Sequence, residues 1–368
     1  MILIFLFLTM SLGYVTTENS PLIIESFHNT QSSSLPEYIV DLDKNPYDRW
    51  VHIMPKYKDD IKLLLNTALK ELPYIFSTIV EYLGKNYFNS MPEYLGDYGK
   101  EIMGISNITN IKLYEITIYN IFYEIFSLCT SSIINIDNYV LHGRNLDFGL
   151  LMNGVVPILK RLTIDVKFVR NNKVIYQAHT FAGYVGILTG MKPYRYSITI
   201  NQRFILNGGY MGIFRWFYNM KPKWNSFIVR DILEGDYTYY QAAEILQKIE
   251  LVSPIYYIIA GTEYNQGLLI TRNRYNEEKP LYLNSTSYLI QTNHDHWVKP
   301  YYFDDRITPA IKFMNKYKHT YDNMLNFLST KPILNVLTIY SSIMIPKINK
   351  MFGMIQNCSH PCPGIELW

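Results

Sequence analysis

Cysteine is scarce: the 368-residue chain holds three. That excludes a small disulfide-stapled scaffold, which needs a denser framework. Charge is thin as well. Asp, Glu, Lys and Arg make up 18% of the chain, and the net charge of +3 is spread out with no long basic run. A nucleic-acid partner is not expected, because phosphate binding needs a concentrated basic face. There is no internal repeat and no low-complexity tract. The leading apolar run, Ile2 to about Leu12, is too short to span a bilayer, which takes about 20 residues. What remains is ordinary in apolar content and unusually rich in tyrosine, with 33. The length suits one large domain or two ordinary ones.

The run Ile2–Leu12 fits the core of a secretory signal peptide. No Lys or Arg precedes it and no Ala-x-Ala site follows it, so an uncleaved anchor or a buried N-terminal strand are the alternatives. Residues 1–17 are set aside from the fold on that reading. Asn-x-Ser/Thr sequons at Asn107, Asn284 and Asn357 favour passage through the secretory pathway. That compartment is oxidising, so cysteine pairs should close. Cys358 and Cys362, in "NCSHPCPG", would close a very small loop, read as a clasp on the tail.

Cys129 is then the odd cysteine. A buried small hydrophobe and an intermolecular disulfide are the plain readings, and a nucleophile is the other. Its surroundings are "FSLCTSSIINIDNYVLHGRNLDFG". "TSSIINI" is β-branched and reads as a strand, Asp137-Asn138 as a turn, and "YVLHGRNLD" as the returning strand. A hairpin centred near Asn138 sets residue 129 opposite 147 and 132 opposite 144, give or take one residue. Arg144 and Asp147 thus return to Cys129. A guanidinium beside a thiol favours thiolate, whereas a carboxylate alone would do the opposite.

Upstream of Cys129 the apolar spacing is helical over 49–72, 74–88 and 110–126. The helix-to-strand boundary is expected at the cysteine. Downstream, strands are expected near 161–169, 173–181 (after an Asn171-Asn172 turn), 196–200, 255–260, 267–273 and 287–293, with a helix near 236–249. The class is α+β.

The segments "YIVDLDKNPYDRW", "NIFYEIFSLCTSSI", "HGRNLDFG", "FAGYVGILTGMKP", "LNGGYMGI", "QTNHDHWVKPYYFDDRITPA" and "LSTKPILNVLTIY" carry a resemblance over nearly the whole chain after the leader. It resembles the acid ceramidase family of N-terminal nucleophile amidohydrolases, with N-acylethanolamine acid amidase as a close relative. "STKPILN" and the Cys358–Cys362 spacing look more like the ceramidase branch. The resemblance implies an αββα sandwich and a precursor that cuts itself between Leu128 and Cys129. Residues 18–128 would become a helical α chain and residues 129–368 a β chain carrying the catalytic core. Cys129 would be the nucleophile, oriented and polarised by Arg144 and Asp147. Asn293 would stabilise the oxyanion, and Arg306 would be an active-site arginine. No metal or organic cofactor is implied. The implied substrate is a lipid amide, either ceramide or an N-acylethanolamine, met at a membrane or vesicle surface, in the lysosome or a secreted fluid.

Two features depart from the family's pattern. Gln202 stands where a glutamate is expected, which puts the acidic pH response in doubt. No cysteine is spare for a disulfide between the chains, so packing alone must join them. A catalytically idle lipid-binding relative is the competing class of function, which intact Cys129, Arg144, Asp147, Asn293 and Arg306 argue against. "HDHW", His294 to Trp297, is read as a strand whose residues alternate faces, with a structural or substrate-side role rather than a metal site. Taken alone, Asp304 to Arg306 reads as an exposed salt-bridge cluster. The apolar segment 147–162 is either core or an acyl-chain wall. Trp216, Phe217 and Trp224 are either core or rim aromatics.

Overall fold

The structure is a computed structural model that describes residues 32–71, 82, 84–121, 127–148, 153–203, 216, 223–300 and 304–364. The expected leader lies outside the described residues, as do most of the 74–88 helix, positions 149–152 and Phe217.

In chain order the strands are β1 (Ser33–Ser34), β2 (Glu37–Asp41), β3 (Ser127–Ile136), β4 (Tyr139–Phe148), β5 (Thr163–Arg170), β6 (Lys173–Phe181), β7 (Thr189–Lys192), β8 (Tyr196–Gln202), β9 (Ile255–Ala260), β10 (Gly267–Arg272), β11 (Glu277–Tyr282), β12 (Tyr288–Gln291), β13 (Thr338–Ile345) and β14 (Lys350–Ile355). The α-helices are α1 (Met54–Glu71), α2 (Asp97–Thr109), α3 (Leu113–Ile121), α4 (Val156–Leu162), α5 (Asn225–Glu234), α6 (Tyr239–Lys248), α7 (Ile307–Lys316) and α8 (Tyr321–Leu328). One sheet runs β1-β14-β13-β4-β3-β12, and the other runs β11-β10-β9-β8-β7-β6-β5-β2.

The sheets pack face to face, with β3 against β8 and β9. Helices α7 and α8 cover the outer face of the first sheet, and α5 and α6 that of the second. This is the αββα arrangement, α+β in class. Strand alternation builds the layers. Ile133 and Val140 face Tyr256, Ile258 and Leu269 between the sheets, whereas Ile134 and Leu141 face Phe313, Met324 and Phe327 of the helices.

The hairpin differs from expectation by one residue. Ile136 pairs Tyr139 across a two-residue turn, with Asp137 in the left-handed region at φ 49°. Cys129 therefore opposes Leu146, Leu128 opposes Asp147, and Ser131 opposes Arg144. A one-residue slip moves a side chain to the other face of a sheet. Cys129 and Arg144 share the face between the sheets, and Asp147 shares the helix-covered face with Thr130.

The helix-to-strand boundary also shifts, because β3 begins at Ser127 and carries Cys129 inside it. The segment before Leu128 is not purely helical. It supplies β1 to the first sheet and β2, paired parallel to β5, to the second. Helix α2 lies close enough to Tyr47 that a Cβ on Gly104 would sit 1.9 Å from the Tyr47 carbonyl oxygen. That approach brings Glu101 against Arg49 and Trp50. Among the described residues, no helix is long and apolar enough to cross a membrane.

Candidate active site

Cys129 is fully buried and takes part in no disulfide, while Cys358 and Cys362 form one. Two separate sets of groups converge on it from opposite faces of the β3–β4 hairpin.

The sulfur side lies between the sheets. Arg144 Nη2 donates to Cys129 Sγ at 2.8 Å and to the Ile200 carbonyl at 2.8 Å. A guanidinium at this range stabilises thiolate over thiol. His142, two residues before Arg144 on the same face, is held neutral. Burial, then the Arg144 charge, push it down to about 3. Its ring nitrogens meet the Ser197 and Thr199 hydroxyls.

The nitrogen side lies toward the helices. The Cys129 backbone N–H donates to Asn293 Oδ1 at 2.7 Å. Arg306 Nη2 donates to the same oxygen at 2.8 Å. Arg306 Nη1 donates to Asp147 Oδ2 at 3.0 Å and to Thr130 Oγ1 at 3.2 Å. Asp304 accepts from Arg306 through both oxygens, at 2.5 and 2.8 Å. Asn335 donates to Asp147 at 3.1 Å. Burial pushes the Asp147 carboxyl above its ordinary value, against the pull of Arg306. Arg306 itself is held above its usual range: burial opposes its charge, but Asp304 and Asp147 more than offset this.

The structure thus brings Cys129, Arg144, Asp147, Asn293 and Arg306 into one buried cluster, with a division the sequence did not show. Arg144 addresses the sulfur. Asp147 addresses the nitrogen, through Arg306 and Asn293. The Asn293 amide nitrogen donates to the Gln202 carbonyl at 2.9 Å, so its oxygen rather than its amide group faces Cys129. Gln202 is buried beside it.

Asp304, Thr130 and Asn335 belong to the cluster and were missed. Asp304 and Arg306 are buried, which corrects the reading of 304–306 as an exposed salt-bridge cluster. Asp305 lies nearer the surface, where its Oδ1 accepts from the Thr308 N–H at 2.9 Å. "HDHW" follows β12 instead of lying on a strand. His294 meets Thr292 at 3.1 Å, Asp295 binds Arg203 and Tyr256, and His296 packs on Trp297. These contacts anchor the loop that carries Asn293. Among the described residues no group of three or more His, Cys, Asp or Glu could hold a metal. Trp216 and Trp224 are buried and pack edge to face, so they are core, not rim.

Residues 33–89 match the family described as the beta subunit of N-acylethanolamine-hydrolyzing acid amidase. Residues 129–271 match the linear amide C–N hydrolases of the choloylglycine hydrolase family, a match that opens on Cys129. The chain is 35% identical to the acid ceramidases of Homo sapiens and Macaca fascicularis, over 91% of this chain and 89% of theirs. It is 37% identical to that of Rattus norvegicus, over 91% of this chain and 90% of the other.

The chain belongs to the acid ceramidase family.

A solved structure of the Caenorhabditis elegans N-acylethanolamine-hydrolyzing acid amidase ortholog aligns with 62% of this chain and 99% of its own, at a TM-score of 0.54 and 33% identity. As a member of the acid ceramidase family the chain is an amidohydrolase of the N-terminal cysteine nucleophile type, acting on linear amides. Chemically, the cluster suits that reaction. An amide is a poor electrophile, so its cleavage needs a strong nucleophile and donors for the tetrahedral oxyanion. The Cys129 sulfur, which accepts from Arg144 Nη2, is the group placed to supply the first.

Proposed function

We propose that this enzyme cleaves itself between Leu128 and Cys129 and then hydrolyses the N-acyl bond of ceramide. The observation that carries the proposal is the convergence of Arg144 on the Cys129 sulfur and of Asn293 on its nitrogen. The bond to be cut is the one that makes that nitrogen a peptide. Once cut, the nitrogen becomes an α-amine, with an unperturbed pKa of about 7.7–8, and it is protonated in acid. An ammonium held by Asn293 and a thiolate held by Arg144 form a pair suited to acidic conditions.

In that pair the sulfur adds to the acyl carbon. The C–N bond breaks, and the departing sphingoid nitrogen takes the ammonium proton. Water, deprotonated by the now neutral amine, then cleaves the thioester and releases the fatty acid. Asn293 serves the oxyanion once its amide turns from Gln202, and losing such a donor costs about 2.7–4 kcal/mol of barrier.

A second substrate, an N-acylethanolamine, is favoured by the family match over residues 33–89 and by the nematode structure. The exposed sequons Asn107, Asn284 and Asn357 support passage through the secretory pathway to the lysosome or an extracellular fluid. There the enzyme meets its lipid at a membrane or vesicle surface.

N-terminal sequencing of mature protein, followed by assay of both amides, tests the proposal. The expected result is a chain beginning at Cys129 that releases fatty acid from ceramide faster than from the ethanolamide. An active protein with the Leu128–Cys129 bond uncut would sink the self-cleavage. Faster ethanolamide turnover would reassign the substrate.

A further inference from the structure

A guanidinium is a rigid fork that only donates, so its aim depends on the acceptors at each tine. One Arg144 nitrogen, Nη2, reaches the Cys129 sulfur. The other, Nη1, donates to the Leu188 carbonyl and, at 2.7 Å, to Thr189 Oγ1. Thr189 Oγ1 lies 2.9 Å from the Tyr340 hydroxyl, which donates to the His179 carbonyl at 3.2 Å. The proton directions follow from chemistry. Arg144 can only donate, so Thr189 accepts from it and gives its own proton to Tyr340. Tyr340 in turn gives its proton to His179. Thr189 and Tyr340 are both fully buried. Burial lifts Tyr340 to about 12, with Arg144 pulling the other way, so the hydroxyl stays a donor.

The backbone is shaped to place Tyr340 there. Thr338 pairs with Asp147 and Tyr340 with Leu146, a β-bulge that puts an extra residue, Ile339, in β13. In a regular strand Thr338 and Tyr340 would share a face. Here Thr338 serves Asp147 on the helix side, while Tyr340 turns to the space between the sheets. Thr189 comes from the second sheet and Tyr340 from the first, so the relay also ties the two sheets together behind the sulfur.

We propose that Thr189 and Tyr340 are positioning residues for amide hydrolysis, holding the Arg144 fork so that Nη2 meets the Cys129 sulfur. The proposal rests on Cys129 being the nucleophile. Thr189→Val and Tyr340→Phe each remove one hydroxyl at nearly constant shape, and Thr189→Ser restores one. The readouts, on the two-chain form, are kcat and KM on a short-chain ceramide and the rate at which iodoacetamide alkylates Cys129.

We expect kcat and the alkylation rate to fall about tenfold in Thr189→Val and Tyr340→Phe, the size of one hydrogen bond to a charged group. KM should hold, and Thr189→Ser should return both rates toward wild type. Wild-type kcat and alkylation in both variants, or a change confined to KM, would overturn the proposal. If Thr189→Val fails to fold, Tyr340→Phe and Thr189→Ser decide it. The two readings fail differently. Full turnover by Cys129→Ser would remove the nucleophile, while alkylation of Cys129 would still report whether the two hydroxyls aim Arg144.

Discussion

Glu101 and Arg230 are joined by two hydrogen bonds of 2.7 Å, although they lie 129 positions apart in sequence. Both are fully buried. Arg49 and the Trp50 indole also donate to the Glu101 carboxylate. A cut before Cys129 would leave this pair as a link between two separate chains, with no cysteine available to join them.

The processed protein is therefore expected to part into two chains in chaotrope without reductant, seen as two bands on a non-reducing denaturing gel. Glu101→Gln leaves Arg230 and Arg49 short of their counter-charge. It should lower stability by about 3–5 kcal/mol, read as an earlier denaturant midpoint.

Cys129→Ala should abolish both self-cleavage and turnover. The precursor should run as one band, and fatty-acid release should fall to background. The fold should survive, because Cys129 is a small buried side chain and alanine deletes one atom. A circular dichroism melt close to that of the wild-type precursor would confirm that survival.

Arg306→Met should destabilise more than any surface change. Arg306 stands between Asp304 and Asp147, all three buried, so its loss strands two carboxylates away from water. The expected cost is about 3–5 kcal/mol, measured by urea denaturation. Arg306→Met with Asp304→Asn should recover part of that loss.

His142 should make the protein less stable in acid. Its folded-state value is pushed down to about 3, below the ordinary 6.5, so between these values the unfolded chain binds more protons than the folded one. Its contribution is complete above about pH 6.5 and declines as pH falls toward about 3. His142→Gln should flatten the fall in urea midpoint between about pH 6.5 and 4.

Several elements were legible because local chemistry specifies them. Strand β6 begins where expected, at Lys173, because Asn171 and Asn172 adopt φ of 50° and 59° and reverse the chain. Strand β9, "IYYIIA", has the expected bounds because it is buried on both faces and reads as a continuous apolar run. Strand β11, "EEKPLY", was missed, since an edge strand tolerates charge and proline that argue against a strand. Helix α7 was missed because its buried positions, Ala310, Phe313 and Met314, are few and sit within a polar stretch.

By itself the sequence determined the family, the odd cysteine and the side chains that gather around it, because residue type and order carry that information. Tertiary structure alone decided which of them meets which atom. A two-residue turn set the hairpin register, and that put Asp147 on the opposite face from Cys129. Asn335, Thr189 and Tyr340 reached the site across long chain separations that leave no local pattern, whereas Asp304 sits two positions from Arg306. Thr189 and Tyr340 meet because two sheets close over one another, which burial drives and no short segment records.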